Sequence, residues 1–276
     1  MKCAWKEFLS ILPQNLREDV DKLGRTDLQE LRLRLGQAPL LIRLGGITQL
    51  KGIVSAEDLT YIINAASRYS PWAAASVSQG YLTAPGGHRI GIAGEVVLRE
   101  GQPTTIKNIT GLCMRVARDF PGLASGLNVA DSVLILGPPG SGKTTFLRDM
   151  IRNLADKQSV AVIDQRGEIF PQGANFLTGK QVDVLLGCGK SKGIDMALRT
   201  LGPAWIAMDE ITSQEDCDAL IQAGWCGVKL LATAHAADTQ DLFCRPVYRP
   251  LVQTRLFQTV VVMKTDKTWK LERMKL

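Results

Sequence analysis

The chain has 276 residues, 45% of them hydrophobic and 22% charged, and a formal net charge of +6. This composition is that of an ordinary globular protein with one large or two modest domains, and it excludes a disordered or fibrous chain. The positive charge is spread along the sequence without a dense basic block, so we expect no specific nucleic-acid partner.

The cysteines and histidines do not form a metal-binding pattern. The six cysteines include no C-x-x-C pair, and neither His88 nor His235 has a cysteine at metal-ligand spacing, so a zinc site is not expected. No signal peptide is recognisable, and no apolar run approaches the roughly 18 residues of a membrane-spanning helix. We therefore expect reduced thiols, a cytoplasmic location and membrane contact only through partner proteins.

Residues 1–120 predict a small α+β domain. Apolar side chains at helical spacing within residues 1–23, interrupted at Pro13, predict two short helices. Residues 28–46 alternate in part between apolar and polar side chains, which predicts two strands joined by a turn at 36–39.

A helix and a β-meander complete this domain. Ser55 and Asp58 have the spacing of a capping box, so a helix is expected from about Ala56 to Tyr69. Residues 79–118 alternate around two turn sequences and predict a meander of antiparallel strands. The glycine- and proline-containing segment 121–131 is the predicted linker to a second domain.

The second predicted domain, residues 132–276, begins with a phosphate-loop motif. The stretch Val133–Thr145, VLILGPPGSGKTT, places GPPGSGKT between an apolar run typical of a buried parallel strand and a segment with helical spacing. Glycines in such a loop let backbone N–H groups turn toward a phosphate, and the following helix directs its positive N-terminus at the same charge. Lys143 is expected to reach the β- and γ-phosphates of ATP, and Thr144 to place its hydroxyl on Mg²⁺. The predicted nucleotide-binding residues are Gly137, Pro138, Pro139, Gly140, Ser141, Gly142, Lys143, Thr144 and Thr145.

Further apolar runs predict that this domain is a RecA-like α/β domain with a mainly parallel sheet. Nucleotide is expected at the carboxyl ends of the strands, and the strand that ends at Asp164 is expected beside the phosphate-loop strand. The tail after Lys264 is expected to be either a solvated last strand or a frayed end. The predicted strands are Ser159–Asp164, Trp205–Met208, Lys229–Thr233 and Val260–Lys264, and Ser213–Trp225 is a predicted helix.

Two acidic residues follow one of these strands. Asp209 and Glu210 come directly after the apolar run Trp205–Met208. An Asp at the end of a strand can hold Mg²⁺, and an adjacent Glu can orient and deprotonate the attacking water. The Glu therefore favours hydrolysis over phosphoryl transfer to a small acceptor.

Polar groups also end two other predicted strands. Glu168 could brace the attacking water while Asp164 or Arg166 fixes its neighbours, or this segment is an exposed charged turn. His235 could hydrogen-bond the γ-phosphate or Glu210, and so distinguish triphosphate from diphosphate, or it is an ordinary satisfied histidine.

Arginines are candidates for a trigger between domains or between subunits, because phosphoryl-transfer sites often borrow an arginine from a neighbour. Arg89, Arg115 and Arg118 belong to the predicted amino-terminal domain, and Arg199 lies just before the acidic strand. For each of them taken singly, an ordinary surface or ion-pair role is the alternative.

These motifs together resemble those of the secretion-superfamily ATPases, the ring motors of type II and type IV secretion and of pilus extension and retraction. The likeness covers nearly the whole chain and is carried in order by LRLRLGQAPLLIRLGG, by GPPGSGKTT, by the acidic box Asp164–Glu168, by MDE and by the histidine box LLATAHA. More narrowly, GHRIGIAGEV, IDQRGEI, GCGKSKGIDMALRTLGP and DEITSQEDC resemble a sporulation branch of this superfamily from endospore-forming bacteria.

The resemblance implies an ATP-hydrolysing protein of the mother-cell cytoplasm. It would dock, as a homo-hexameric ring, on membrane proteins of a secretion-like channel between mother cell and forespore. Arg89 and Arg115 match amino-terminal arginines that reach nucleotide in the family. The other roles of the family fall on Lys143 and Thr144 for phosphates and Mg²⁺, Asp209 and Glu210 for Mg²⁺ and catalysis, Glu168 in the acidic box and His235 in the histidine box.

Two other functions could use the same phosphate loop. A nucleic-acid-linked ATPase would carry a basic groove and stacking aromatic residues, but only 6% of the residues are aromatic. A nucleotide-gated scaffold would assemble channel proteins and hydrolyse ATP rarely, and the sequence alone favours neither this scaffold nor the motor.

Overall fold

The computed structural model describes residues 2–68, 77–78, 80–171 and 173–274. The chain divides into two compact units, Met1–Asp119 with Pro171–Asn175, and Phe120–Phe170 with Phe176–Leu276. The segment 121–131, which the sequence assigns to a linker, is part of the second unit. Over the described ranges, no helix combines the length and apolar content that crossing a membrane requires.

The first unit contains, within its described residues, a six-stranded antiparallel sheet in the order β3-β2-β1-β6-β5-β4. The two amino-terminal helices and the capping box of Ser55 and Asp58 confirm the prediction, while Tyr69, the predicted helix end, lies outside the described residues. The helices are α1 (Trp5–Ser10), α2 (Gln14–Gly24) and α3 (Ala56–Ser67); the strands are β1 (Leu28–Arg34), β2 (Leu40–Arg43), β3 (Gly46–Gln49), β4 (Tyr81–Thr83), β5 (Arg89–Arg99) and β6 (Gln102–Arg115), with a 3₁₀ turn at Pro85–Gly87.

The helices of the first unit pack on one face of its sheet, because alternate residues of the strands are apolar. In β1 the side chains of Leu31 and Leu33 are fully buried, whereas Glu30 and Arg32 stay partly exposed. Phe8 of α1 belongs to the same core. The opposite face of β1 carries charged side chains, as is usual for an antiparallel sheet with one solvated side.

The second unit contains a seven-stranded sheet, counted over the described residues, in the order β13-β12-β7-β11-β10-β8-β9. All neighbouring strands are parallel except β12 and β13, so the predicted mainly parallel α/β sheet is confirmed. The strands are β7 (Val133–Leu136), β8 (Val160–Asp164), β9 (Val182–Leu186), β10 (Trp205–Met208), β11 (Lys229–Ala234), β12 (Thr259–Met263) and β13 (Trp269–Arg273); the helices are α4 (Lys143–Ala155), α5 (Lys190–Thr200), α6 (Gln214–Trp225), α7 (Thr239–Cys244) and α8 (Arg249–Gln253), with a 3₁₀ turn at Pro246–Tyr248.

Both faces of this sheet are covered. In β7, Leu134 and Leu136 belong to an apolar core shared with α5, α6 and α8, whereas Val133 and Ile135 belong to a second core shared with α4. Strands β7, β8 and β10 are buried throughout, which explains their continuous apolar runs.

The expected position of β8 is wrong. Strand β8 pairs with β10 and β9, and both β11 and β10 lie between it and the phosphate-loop strand β7. The order of strands depends on how far each crossover connection carries the chain across the sheet, and an apolar run contains no information about that distance.

A buried carboxylate fixes the segment that leads from the first unit into β7. Asp149 of α4 is 2% exposed and accepts hydrogen bonds from the backbone N–H groups of Gly122, at 3.0 Å, and Ala124, at 2.7 Å. It also pairs with Arg152 at 2.9 Å. The segment is therefore attached to the helix that follows the phosphate loop.

A buried histidine joins three parts of the first unit. His88 is fully buried, and its Nδ1 accepts a hydrogen bond from the backbone N–H of Ala117 at 3.1 Å. The other ring nitrogen, Nε2, therefore carries the proton and donates it to the carbonyl of Ala4 at 2.8 Å. Burial lowers the pKa of His88, so the imidazole is held neutral.

Replacing His88 with Leu should lower the free energy of unfolding by about 2 kcal/mol at pH 7.5, because two partly buried backbone groups lose their partner. The pKa of His88 in the folded protein lies below the value of about 6.5 in the unfolded chain, so the unfolded state binds more protons. Wild-type stability is therefore lost as the pH falls through about 6.5. Urea titrations of both proteins should show their difference narrowing toward pH 5.5. A difference that does not change with pH would contradict a neutral buried His88.

Candidate active site

The phosphate loop between β7 and α4 has the shape of an anion cradle. A Cβ on Gly137 would lie 2.6 Å from Oγ of Ser141 and 2.8 Å from the carbonyl oxygen of Met263, so only glycine fits. Gly140 and Gly142 have φ values of 73° and 98°, in the left-handed region that glycine adopts without strain. The buried hydroxyl of Ser141 has no hydrogen-bond partner among the described residues. These features fit a loop that binds phosphate.

Lys143 lies beneath the loop with all three of its donors used. Its Nζ donates to the carbonyls of Gly137 at 2.9 Å and Pro138 at 3.0 Å, and to Nδ1 of His235 at 3.1 Å. Burial lowers the pKa of Lys143, although the negative charges of Asp209 and Glu210 oppose that shift. A phosphate beside this ammonium would add to the charges that favour its protonated form.

His235 connects the loop lysine to the acidic strand end. Because an ammonium group can only donate, Nδ1 of His235 accepts from Lys143 and Nε2 carries the proton. That nitrogen lies 3.3 Å from Oε1 of Glu210. The structure thus brings together Lys143, His235 and Glu210 in one continuous chain of polar contacts.

Asp209 is held between two threonines. Its Oδ2 accepts from the hydroxyl of Thr144 at 2.6 Å, and its Oδ1 accepts from the hydroxyl of Thr233 at 2.5 Å. Over the described residues, no group of three or more His, Cys, Asp or Glu could hold a metal ion by itself. A hydroxyl and a carboxylate are nevertheless oxygen ligands that suit Mg²⁺, which usually takes one or two protein ligands and completes its shell with phosphates and water.

Glu210 has an unusual backbone conformation. Its φ is 52°, in the left-handed region that residues other than glycine rarely adopt. The backbone N–H of Glu210 donates a hydrogen bond to the hydroxyl of Thr233 at 2.8 Å. No sequence pattern indicates the left-handed backbone of Glu210 or the role of Thr233, a residue of β11 that lies two positions before His235.

Asp164 organises the acidic box from inside. Its carboxylate accepts hydrogen bonds from the backbone N–H groups of Glu168 at 2.8 Å, Ile169 at 3.0 Å and Phe170 at 2.9 Å. Burial raises the pKa of Asp164, and the bonds from Phe170 and Ile169 oppose that change. Arg148 donates to the carbonyls of Glu168 and Ile169. The position of Glu168 is therefore fixed from both sides of its backbone.

A cavity of about 30 Å³ separates the acidic box from the end of β10, and its lining includes Glu168, Asp209, Glu210 and Lys190. That volume admits a water molecule, and the lining offers it several polar partners. Arg166 contacts Glu210 only loosely, at 3.9 Å, with more than half of its own side chain exposed, so this ion pair adds little.

The turn between β12 and β13 covers the phosphate loop. The ammonium of Lys267 donates to the carbonyl of Gly140. Met263, the last residue of β12, lies against Gly137. Burial lowers the pKa of Lys267. The sequence predicted a solvated strand or a frayed end here, and a strand forms, but no local pattern indicated its contact with the loop.

The candidate trigger arginines of the predicted amino-terminal domain lie in the first unit. Arg89 and Arg115 are registered partners on β5 and β6. Arg115 pairs with Glu30 at 3.1 Å and is 63% exposed, and Arg89 lies over the ring of Tyr81. Their roles at the nucleotide stay predictions.

The two remaining arginines make local contacts. Arg118 donates to the carbonyls of Leu28, at 3.3 Å, and Arg25, at 3.1 Å. Arg199 pairs with Asp195, one turn earlier in α5, at 2.8 Å. These contacts fit the ordinary structural role that was the alternative for each arginine.

Solved structures share the fold. The ATPase DotB of Legionella pneumophila superposes with a TM-score of 0.58 and 17% identity over 95% of this chain and 80% of that one. The pilus retraction motor PilT, solved with bound ADP, gives a TM-score of 0.60 and 17% identity over 90% of this chain and 76% of that one. At such identity the likeness concerns the fold alone, and it confirms the predicted fold, an α+β amino-terminal domain followed by a RecA-like domain with a mainly parallel sheet.

Sequence identity is higher with a sporulation protein than with these two solved structures. Stage III sporulation protein AA of Bacillus subtilis (strain 168) is 31% identical over 283 aligned positions, which cover 95% of this chain and 91% of that protein. The family model described as "Sporulation stage III, protein AA" matches residues 5–271. The chain therefore belongs to the sporulation stage III protein AA family.

Proposed function

We propose that this protein is an ATPase that hydrolyses ATP to ADP and phosphate in the presence of Mg²⁺. The observation that supports it most strongly is the connected network at the carboxyl ends of three neighbouring strands, β7, β11 and β10. Lys143 is linked to Glu210 through His235. Thr144 donates directly to Asp209, and Thr233 links Asp209 to the backbone of Glu210. The network contains residue types suited to phosphate binding, to metal binding and to the activation of water.

Nucleotide binding falls to the loop and to Lys143. The inward-turned backbone of the loop and the N-terminus of α4 favour an anion. Lys143 would exchange one of its present acceptors for a phosphate oxygen, and His235 is the acceptor outside the loop. His235 would then register the presence of phosphate through its contact with Glu210.

Hydrolysis falls to Asp209 and Glu210. Thr144 and Asp209 would hold Mg²⁺, which neutralises charge that develops on the phosphates during transfer. Glu210 lines the water-sized cavity and would orient a water molecule and accept its proton. Glu168 lines the same cavity from the opposite strand end, held there by Asp164 and Arg148.

The first unit would supply positive charge through Arg89 and Arg115. Support comes from their register on neighbouring strands and from the position of Arg115 on the solvated face of the sheet. Such arginines stabilise the charge of the transition state when they reach the transferred phosphoryl group. We propose that they do so within one chain or across subunits.

The proposed biological role is to energise a secretion-type channel between mother cell and forespore during endospore formation. Membership of the sporulation stage III protein AA family and a fold shared with DotB and PilT support it. The protein would work as a homo-hexamer in the mother-cell cytoplasm, at the membrane through partner proteins of the channel complex.

Replacing Lys143 with Ala should weaken ATP binding by about 10- to 100-fold, since a charge-assisted hydrogen bond to phosphate contributes about 1.5–3 kcal/mol. Isothermal titration calorimetry with ATP and Mg²⁺ measures the change. Lys157, exposed near the C-terminus of α4, provides the matched control through Lys157→Ala. Unchanged ATP affinity in Lys143→Ala would overturn the phosphate-loop assignment.

Replacing Glu210 with Gln should lower kcat for ATP hydrolysis by at least about 100-fold, because the amide cannot accept a proton from water. The Kd for ATP should change little, since Glu210 does not contact the loop backbone. Phosphate release at saturating ATP gives kcat, and the exposed Glu215 on α6 gives the control Glu215→Gln. Equal turnover in Glu210→Gln and wild type would remove Glu210 from catalysis. Normal sporulation in a strain carrying Glu210→Gln would favour a nucleotide-gated scaffold instead.

Assembly can be measured with the same variant, because blocked hydrolysis should preserve an ATP-bound ring. Light scattering of Glu210→Gln with ATP and Mg²⁺ should give six times the 30.1 kDa of one chain, and a smaller mass without nucleotide. The double variant Lys143→Ala/Glu210→Gln is the control that should not assemble. A monomer under both conditions would show that the chain does not form a ring by itself.

A further inference from the structure

The strained backbone of Glu210 is held at both of its polar groups. The N–H of Glu210 donates to the hydroxyl of Thr233 at 2.8 Å, and its carbonyl accepts a hydrogen bond from the ammonium of Lys190. The next residue, Ile211, donates its N–H to the carbonyl of Thr233 at 2.8 Å. A left-handed backbone at a residue other than glycine persists only where its surroundings fix it, and these contacts do so.

Lys190 itself has little freedom to move. It is the first residue of α5, and its side chain is only 12% exposed. Besides the carbonyl of Glu210, its Nζ reaches Oδ2 of Asp216 at 3.1 Å and the hydroxyl of Thr212 at 3.3 Å. An ammonium has three donors, so these three acceptors satisfy it fully.

The carboxylate that orients Lys190 is fixed in turn. Asp216 closes the capping box of α6 with Ser213 and accepts the backbone N–H of Thr212 at 2.8 Å. Burial would raise the pKa of Asp216, but the hydrogen bond from Thr212 and the charge of Lys190 lower it overall. The pair is therefore ionised, and Lys190 connects the start of α5, the start of α6 and the end of β10.

We propose that Lys190 is a positioning residue for ATP hydrolysis. By holding the backbone carbonyl of Glu210, it keeps the side-chain carboxylate of Glu210 directed at the water-sized cavity and at His235. The inference rests on the proposed function. Lys190 lines the same cavity as Glu210 and Glu168, which a simple ion pair between two helices would not require. Without it, the carbonyl of Glu210 loses a charged donor, and the backbone can relax to an ordinary conformation that turns the carboxylate away.

The competing explanation is that Lys190 only neutralises Asp216. The variant Asp216→Asn separates the two, because it removes the ion pair and leaves Lys190 free to hold the carbonyl of Glu210. The double variant Asp216→Asn/Lys190→Met then also removes the contacts of Lys190 with the carbonyl of Glu210 and the hydroxyl of Thr212, and leaves no unpaired buried charge that would unfold the protein. The exposed Lys192 of the same helix supplies the control Lys192→Met.

Steady-state hydrolysis and ATP binding are measured for the wild type and these variants. The double variant should lose at least about 10-fold in kcat relative to Asp216→Asn, a typical loss for a misplaced catalytic group. Its Kd for ATP should stay within about two-fold of that of Asp216→Asn, because the phosphate loop is untouched. Lys192→Met should match the wild type in both.

Equal kcat in Asp216→Asn and the double variant, with a wild type that hydrolyses ATP, overturns the inference and leaves the proposed function standing. A parallel loss of kcat and ATP affinity also overturns it, because it would show general damage to the site. Absence of hydrolysis in the wild type overturns the proposed function and the inference with it.

Discussion

The site depends on one topological constraint, the insertion of β11 between the phosphate-loop strand and the acidic strand. β11 pairs in parallel with β7 on one side and with β10 on the other, so the carboxyl ends of all three strands meet at one edge of the sheet. This places Thr233 against Asp209 and His235 against Lys143. Without β11 between β7 and β10, the hydroxyl of Thr144 would remain the direct link to Asp209, and the contacts made by Thr233 and His235 would be lost.

Charge burial is the main cost of this arrangement, and the hydrogen bonds around each group offset it. Lys143, Asp164 and Asp216 are all buried, and each has at least three partners with good geometry. A buried charge without partners would be neutralised or would destabilise the fold. The residues of the site are consequently held in place by the protein itself, and a ligand need not organise them.

The sequence predicted the parts of the site that local patterns encode. The glycines and Lys143 of the loop follow a fixed spacing, and Asp209 and Glu210 follow a buried strand, so periodicity and motif were sufficient. Strand order was missed at β8, and the edge strand β9 was missed altogether, because pairing depends on crossover connections. The left-handed backbone of Glu210 and the contact of Lys190, 20 residues away in sequence, arise only when β10, α5 and α6 pack together. Local propensity cannot show a tertiary contact of this kind.

Phosphate binding and water activation share one polar chain, and this has a thermodynamic consequence. Lys143 holds His235, and His235 holds Glu210, so a ligand that draws the ammonium of Lys143 toward itself changes the environment of the Glu210 carboxylate. Linkage is reciprocal: if phosphate binding shifts the equilibrium between two orientations of the Glu210 side chain by some factor, those two orientations differ in their affinity for phosphate by the same factor. Lys190 and Thr233 limit that reorientation by holding the backbone of Glu210. The side chain is then the part of Glu210 that is free to respond, and the coupling passes through His235.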